Sequence, residues 1–298
     1  MKIPIISRDS RSTTASFRRT PIFFIGVFFF CLLCSVVGAQ GNWVFLDNGK
    51  VRLGVNLDAG GSIGWFSRSD SKDNLLNAFD HGRYVQQSFY GDSDGSDWNG
   101  QPWRYNPVQG GSWKGVPATV LEKKETQTSL YVKTRPRQWA SGKDVDDMIL
   151  EEWLTLDGAL ARMKFRMTYT GKTEHKARHQ ELPAMFVQPR FDTLVFCDKA
   201  TGAIVRQQPG KPNEYIKFSE PWLAWVDAVG QGIGIYAPHT DFATVYRVRD
   251  SGKGDVSYAA PLQTFGLKAG LVFEYDSALI IGTVEEIRAV CTKLKAAR

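Results

Sequence analysis

The stretch MILEEWLTLDGALARMKFRMTYTG, residues 148–171, decides the fold class of this chain. In its second half, apolar side chains occupy alternate positions: Met163, Phe165, Met167 and Tyr169. Polar side chains fill the positions between them: Arg162, Lys164, Arg166 and Thr168. Strict alternation is typical of a β-strand with one buried face. The Asp157-Gly158 pair before it predicts a tight turn, so the stretch is predicted to be an antiparallel hairpin.

The basic side chains of this strand share its polar face: Arg162, Lys164 and Arg166. A row of positive charge on a broad sheet suits an extended ligand on a concave face. It is also what the ordinary solvated face of a strand looks like. We favour the solvated face.

The same organisation recurs along the chain. Strand patterns around glycine-rich or polar turns occupy residues 50–67, 118–136, 222–238 and 269–282. Residues 283–297 alone show helical spacing, with Thr283 and Glu286 as a capping box. The sequence therefore predicts an all-β protein: a large antiparallel β-sandwich with a short C-terminal helix.

The N-terminal 39 residues have the features of a targeting segment. Basic residues precede the uncharged run PIFFIGVFFFCLLCSVVGA (21–39), and Val37-Gly38-Ala39 supplies the small residues that signal peptidase requires. An uncleaved anchor is the alternative, because residues 22–38 are long enough to nearly span a bilayer. We predict a signal peptide over residues 1–39 and a secreted or periplasmic protein, with no membrane attachment after cleavage.

Charge and cysteine content narrow the class of protein further. Residues 1–39 hold five of the 37 basic residues and one of the 31 acidic ones, so residues 40–298 are nearly neutral. We therefore predict no nucleic-acid partner. Cys197 and Cys291 remain in that part, either as one disulfide or as free thiols. It contains no linker or internal repeat, which predicts a single β-sandwich domain over residues 40–298.

Residues 74–115 concentrate aromatic and polar side chains. Trp98 and Trp103, with Tyr90 before them, lie among Asn, Gln, Asp and Gly, and few aliphatic residues lie between 91 and 115. This composition predicts a long, ordered loop. Indole faces beside amides and carboxylates suit sugar rings, so we predict that these three residues contact a carbohydrate. The alternative is a loop whose tryptophans contact one another.

Residues 178–186, RHQELPAMF, place an imidazole and a carboxylate at the mouth of an apolar strand. Strand alternation puts His179 and Glu181 on one face, about 7 Å apart at Cα, and Gln180 on the other. An imidazole and a carboxylate at this spacing can both reach one ligand. We therefore predict His179 and Glu181 as catalytic residues.

Structural roles are the alternative for this stretch. Glu181 would then pair with Arg178 or Lys176, and His179 would cap a turn. A metal site of His175, His179 and Glu181 is only weakly indicated, because the spacing matches no common ligand motif. We predict no metal.

Two other histidines complete the candidate site. Asp80-His81-Gly82-Arg83 offers an oriented imidazole and a guanidinium, or else an Arg–Asp pair that closes a loop. His239 follows a strand end, where β scaffolds display functional groups. We predict His81 and His239 as catalytic candidates, and Arg83 and Trp222 as substrate-binding residues. The chain contains neither GxGxxG nor HExxH, and we predict no cofactor.

Three stretches together resemble the galactose-mutarotase-like β-supersandwich proteins: KVRLGVNLDAGGSIGWFS, HQELPAMF and WLAWVDAVGQGIGIYAP. That group includes aldose epimerases and sandwich domains of polysaccharide lyases and glycoside hydrolases. The resemblance is architectural and extends over most of residues 42–282. It implies a histidine acid, His179 or His239, and a glutamate base, Glu181, on a concave sheet. It also implies an exported bacterial protein of polysaccharide-degrading type.

Two functional hypotheses follow. The first is an exported carbohydrate-active enzyme that acts on a polysaccharide or oligosaccharide by His/Glu acid–base chemistry, as a lyase, hydrolase or epimerase. A lyase would use Arg83 to neutralise a uronate carboxylate, and a hydrolase would pair Glu181 with Asp80 or Asp241. The second is a non-catalytic carbohydrate-binding or scaffold protein with the same aromatic residues.

Overall fold

Antiparallel β-strands make up most of residues 41–298, the part of the chain that the computed structural model describes. The strands are β1 (Trp43–Asp47), β2 (Val51–Asn56), β3 (Ser62–Arg68), β4 (Gln86–Ser88), β5 (Ser93–Trp98), β6 (Gln101–Arg104), β7 (Pro107–Val108), β8 (Thr119–Glu125), β9 (Ser129–Arg135), β10 (Arg137–Gln138), β11 (Met148–Asp157), β12 (Leu160–Tyr169), β13 (His175–Val187), β14 (Thr193–Asp198), β15 (Ile204–Gln207), β16 (Glu214–Val226), β17 (Gln231–Tyr236), β18 (Phe242–Val248), β19 (Val256–Leu267) and β20 (Val272–Thr283). One α-helix of these residues, α1 (Val284–Ala296), follows β20.

The hairpin of β11 and β12 forms as its alternation predicts. The strands pair antiparallel across the turn at Gly158, which has a positive φ of 60°. All four predicted apolar side chains of β12 are buried: Met163, Phe165, Met167 and Tyr169. On the opposite face, Lys164 and Arg166 pair with Glu274 in solvent. The basic row is therefore a solvated face, as we favoured.

Most strands belong to one large antiparallel sheet. Its order is β10-β7-β4-β13-β19-β18-β16-β17-β20-β12-β11-β9-β8, with β14 and β15 attached beside β16. The main hydrophobic core draws side chains from both halves of this sheet, for example Met185 and Val245 from one and Leu150 and Phe165 from the other. The two halves therefore enclose the core, which confirms the predicted large antiparallel β-sandwich.

A second, smaller core lies beneath helix α1. Ile287, Cys291 and Leu294 of the helix contact apolar side chains of the sheet, among them Trp222. The helix begins with the predicted capping box, in which Thr283 accepts from the backbone of Glu286 and Glu286 accepts in return. Cys197 and Cys291 are both buried free thiols.

A third apolar cluster covers the face of β13, β18 and β19 that points away from the main core. Its buried members are Ala184, Phe186, Val248, Val256, Tyr258, Ala260 and Leu262. Phe242 and Tyr246 lie partly exposed at its surface. Since one face of these strands already packs on the main core, this second apolar face is the feature that positions the candidate site.

One local prediction is wrong. Residues 74–115 are not a long loop, because β5 and β6 form a hairpin within them and β7 follows.

Residues 80–83 form a turn, with the Arg83 amide donating to the Asp80 carbonyl at 2.9 Å. Asp80 and Gly82 both form the turn, since the Asp80 carboxylate accepts from the Gly82 amide.

The predicted signal peptide lies outside the described residues, so export stays a prediction. Within residues 41–298, no helix combines the length and the apolar composition needed to cross a membrane.

Glu152 interrupts the alternation of β11. It shares a face with the buried Leu150 and Leu154, and its own side chain is fully buried. Neither carboxyl oxygen has a hydrogen-bond partner within residues 41–298. Burial raises the pKa of Glu152 to about 8. Protonation at neutral pH therefore removes most of the cost of a charge in the core.

The alternation of β12 can be tested with two neighbouring substitutions. Phe165→Ala empties a fully buried site and should lower the free energy of unfolding by about 3–5 kcal/mol. Lys164→Ala, the matched control, removes a solvated ion pair with Glu274 and should cost less than about 1 kcal/mol. Urea unfolding of both variants gives these values. If both variants lost the same free energy of unfolding, one face of β12 would not be buried while the other is solvated.

Candidate functional site

Glu181 lies on the face of the sheet that points away from the main core. On β13 it pairs with Ser88 of β4 and Leu262 of β19. Gln180, its neighbour on the strand, is fully buried, whereas Glu181 is half-buried and His179 is exposed. The predicted alternation of this stretch is confirmed.

Three tyrosines surround the Glu181 carboxyl. Tyr90 and Tyr258 donate hydrogen bonds to its Oε1 at 2.9 and 2.5 Å. Tyr246 stacks on Tyr258, with 4.4 Å between the ring centroids. Because both tyrosine bonds end on Oε1, they fix the orientation of the carboxyl group and leave Oε2 outside these contacts.

The surroundings shift the protonation of these groups. Burial raises the pKa of the Glu181 carboxyl, and the hydrogen bonds from Tyr258 and Tyr90 oppose that shift by favouring the charged form. Burial, with the nearby Glu181 charge, also raises the pKa of Tyr90 and Tyr258 well above the usual range. The tyrosines therefore remain hydrogen-bond donors, while Glu181 titrates closer to neutrality than an ordinary glutamate.

The buried amide of Gln180 places Tyr90 beside Glu181. Its Oε1 accepts from the Tyr90 backbone N–H at 2.6 Å, and its Nε2 donates to the Tyr90 and Phe265 carbonyls at 3.0 and 2.9 Å. One side chain thus joins β13, the segment after β4, and β19. Since the Tyr90 hydroxyl reaches Glu181, Gln180 positions one of the two hydrogen bonds on the carboxylate.

Arg83 joins the turn of residues 80–83 to the β18–β19 hairpin. Its guanidinium donates to the Gly254 carbonyl at 2.6 Å and pairs with Asp80 at 3.2 Å. Burial and the Glu181 charge raise the pKa of the Tyr246 hydroxyl, and on it the charges of Arg83 and Asp80 act in opposite directions. The Arg–Asp pair that closes a loop, our alternative for this segment, is therefore present, and the Arg83 charge is already partnered.

His179 stands on the same face as Glu181 but has other contacts. Its Nδ1 is hydrogen-bonded to Thr264 Oγ1 at 2.8 Å. Its ring lies against Tyr215 and Phe242, with centroids 5.7 and 5.2 Å away. The structure thus places His179 near Glu181 without joining the two in a hydrogen bond.

The His239 side chain has other contacts, although its backbone carbonyl accepts from Gln263, which pairs with Gln180 across β13 and β19. His239 lines a cavity of about 500 Å³ between the β17–β18 connection and the end of helix α1. There its Nε2 accepts from the Asp276 amide at 3.2 Å and contacts Arg298 at 3.0 Å. Asp241, also in this cavity, pairs with Lys199. The prediction that His239 joins Glu181 in one site is not supported, and neither is a Glu181–Asp241 pair.

The other two histidines do not reach Glu181 either. His175 stacks on Tyr105 at 4.6 Å and accepts from the Asp92 amide at 3.2 Å. His81 belongs to the turn of residues 80–83, and its Nδ1 is buried without a hydrogen-bond partner in the described part of the chain. Within residues 41–298, no group of three or more His, Cys, Asp or Glu side chains has the arrangement of a metal site.

Trp98 and Trp103 form a cluster with Trp139. The ring centroids lie 5.1–5.3 Å apart, and Trp98 keeps 37% of its surface exposed. Trp139 packs on the turn of residues 80–83, since a Cβ at Gly82 would lie 2.7 Å from its Nε1. As in our alternative, the tryptophans of this segment contact one another, but they stand on the β5–β6 hairpin and not on a loop. This cluster leaves one partly exposed indole beside the turn.

Trp222 is buried rather than displayed. It retains 1% of its surface, lies beneath helix α1, and donates through Nε1 to Glu220 at 2.7 Å. A sugar needs an exposed ring face for stacking, so the predicted substrate contact of Trp222 is not supported.

The run Gly91–Gly95 reads GDSDG and matches the GxSxG pattern of serine hydrolases. In those enzymes the serine sits on a sharp turn between a strand and a helix. Here Ser93 begins β5, an exposed strand that turns directly into β6. The match therefore has no catalytic context.

Sequence reasoning missed Tyr246 and Tyr258, which complete the surroundings of Glu181. Both lie in stretches with a strand pattern, YRV and VSYAAPL, and a tyrosine in such a strand is usually part of the hydrophobic core. The register Tyr246–Tyr258 pairs them across β18 and β19, and only this pairing brings them to Glu181. The only sequence feature that could have indicated Tyr258 is its place in a strand without charged residues. Many core strands share this feature, so it does not identify a site.

No protein-family model matches the chain, and no curated protein matches its sequence. Solved structures do match it. A galactose mutarotase related enzyme from Lactobacillus acidophilus superimposes with a TM-score of 0.53 at 9% identity, covering 80% of this chain and 97% of that one. A galactose mutarotase-like protein from Lactobacillus casei superimposes with a TM-score of 0.53 at 11% identity, covering 80% of this chain and 99% of that one. Another galactose mutarotase-like protein, from Clostridium acetobutylicum, has a TM-score of 0.50 at 10% identity, covering 81% of this chain and 95% of that one.

These similarities extend over nearly the whole of each known structure, and they coincide with the large antiparallel sandwich seen here. At such low identity they establish architecture alone. The chain has a galactose-mutarotase-like fold.

Proposed function

We propose that this protein is an exported enzyme that acts on a carbohydrate by proton transfer, with Glu181 as the general base. One observation carries the proposal: a half-buried carboxyl group with a raised pKa is held by two tyrosine hydroxyls on the outer face of the sheet. Perturbed carboxyl groups of this kind are typical of acid–base sites. The sugar as substrate is supported by the names of the structural neighbours, which refer to galactose mutarotase.

The geometry suits removal of a proton from a sugar hydroxyl or ring carbon. Glu181 presents a carboxylate whose Oε1 is fixed by Tyr90 and Tyr258. In an anomer exchange, Oε2 would take the proton of the anomeric hydroxyl while the ring C–O bond breaks and the ring oxygen takes a proton from water. Ring closure would reverse both proton transfers. A base with a raised pKa binds that proton more strongly than an ordinary glutamate does. The Tyr246 hydroxyl, next to Tyr258, supplies a further donor for a developing negative charge.

Reactions of the epimerase type fit this site better than hydrolysis or uronate elimination. A glycoside hydrolase needs two carboxyl groups across the scissile bond. Asp80 is bound to Arg83, and Asp241 lies in the cavity of His239. A uronate lyase needs a cation for the substrate carboxylate, and Arg83 is already partnered. A reaction of the epimerase type, with a single base and tyrosine donors, needs neither a second carboxyl group nor a cation.

A non-catalytic carbohydrate-binding protein is the second candidate. It is favoured by one observation, that no histidine of the described residues hydrogen-bonds to Glu181. The two candidates share the binding face and differ in turnover, so a variant that blocks proton transfer separates them.

Glu181→Gln keeps the shape of the side chain and removes the base. On the glycan that binds most tightly in an array screen, it should lower turnover by a factor of about 10²–10⁴ and leave binding within a few fold. Turnover is followed by NMR, which detects anomer exchange, epimerised product and cleavage alike. Glu274→Gln, an exposed carboxylate on β20, is the matched control and should keep full activity.

Unchanged turnover in Glu181→Gln would contradict the role of Glu181 as base. Tight binding by the wild type without any conversion would favour the non-catalytic candidate.

Tyr258→Phe tests the electrostatics of the base. A general base loses activity as pH falls through its pKa, and burial places that pKa above the ordinary range of glutamate. The Tyr258 hydroxyl favours the charged form, so its removal should move the acidic limb of the pH–rate profile to higher pH. A limb that stays in place, or moves to lower pH, would show that Tyr258 does not act on the base.

Export is part of the proposal and rests on residues 1–39. Expression of the full chain in a bacterium, followed by N-terminal sequencing of the exported protein, should give Gln40 as the first residue. An intact N-terminus in the membrane fraction would instead support the uncleaved anchor.

A further inference from the structure

Three aromatic rings form an exposed surface next to Glu181. They come from three strands: His179 on β13, Phe242 on β18 and Tyr215 on β16. Tyr215 and Phe242 are nearly parallel, with 13° between their planes and 5.5 Å between centroids. His179 lies against both. We refer to these three rings as the aromatic platform.

The aromatic platform is open to solvent. Tyr215 keeps 58% of its surface exposed, more than most large apolar side chains of the described residues. His179 is exposed, and Phe242 is half-buried. A single exposed aromatic residue is ordinary, but three adjoining rings from separate strands form a continuous apolar surface, which is typical of a binding site.

The surface continues to the candidate catalytic carboxyl. His179 precedes Glu181 by two residues on one face of β13, which places their Cα atoms about 7 Å apart. Between the aromatic platform and the tyrosine pair lie smaller side chains, Thr244 opposite Ala260. Both are buried, so the two groups of aromatic rings stand on either side of a short, covered strip on the same face of the sheet.

A hydrogen bond between His179 and Thr264 orients the imidazole within the aromatic platform. It uses Nδ1 and fixes the imidazole, which leaves Nε2 on the far side of the ring. The Tyr215 hydroxyl adds a second polar group at the edge of the rings. Apolar ring faces with polar groups at their edges match the C–H faces and hydroxyls of a pyranose.

We infer that the aromatic platform is a second sugar-binding subsite, next to the one at Glu181, and that the substrate is an oligosaccharide. One pyranose lies at Glu181 and the tyrosines, and the adjoining pyranose stacks on Tyr215 and Phe242. This inference rests on the proposed function, since it needs a sugar at Glu181. It gives His179 a binding role in place of the predicted catalytic one.

The test measures affinity against chain length. A glycan array with neutral and acidic mono-, di- and oligosaccharides identifies a binding series, and calorimetry gives the affinity of each member. From monosaccharide to disaccharide, affinity should rise about tenfold, and Tyr215→Ala should remove that rise while leaving monosaccharide affinity unchanged. Tyr215→Phe keeps the ring and should retain most of the rise in affinity from monosaccharide to disaccharide.

Tyr131→Ala is the matched control, because Tyr131 is a partly exposed tyrosine on β9 that packs on Trp153. It should bind every chain length as the wild type does. Equal affinity for mono- and disaccharide, or a Tyr215→Ala variant with the full rise, would overturn the subsite and leave the proposed function intact. Binding of no glycan on the array would overturn the proposed function, and the subsite with it.

Discussion

The hydrogen bonds of the buried Gln180 amide are the constraint on which the candidate site depends. Gln180 faces the interior of the sandwich, where an unsatisfied amide would be costly. It meets that requirement by bonding to the backbone of Tyr90 and to the Phe265 carbonyl. As a result the segment after β4 is fixed against β13 and β19. The same strand therefore presents Glu181 outward at the point where the Tyr90 hydroxyl arrives.

Strand β13 contributes both to the main core and to the candidate site. The inward side chains of β13, such as Met185 and Val187, belong to the main core. Its outward side chains meet an apolar cluster from β18 and β19. Glu181 is thus desolvated by neighbours that do not depend on a ligand, and two tyrosine hydroxyls compensate the charge. As the proposed general base, a carboxylate prepared in this way would need little reorganisation.

The sequence predicted the fold well because its signals are local. The alternation of β12, the Asp157-Gly158 turn and the Thr283 capping box each occupy one short stretch, and each forms as predicted. The site was only partly predictable. The face shared by His179 and Glu181 follows from strand alternation, whereas the contacts with Tyr258 and Tyr246 depend on which strands are neighbours. Strand alternation also could not show that the His239 side chain bonds to the Asp276 amide or that Trp222 is buried beneath helix α1, because both depend on contacts between distant parts of the chain.

We propose that sugar binds at Glu181 on the outer face of β13. A crystal structure of Glu181→Gln with the tightest-binding glycan tests it most directly. We expect a pyranose within hydrogen-bond distance of residue 181 and Tyr258. A glycan found instead in the cavity of His239 and Arg298, with the face around residue 181 free, would contradict it.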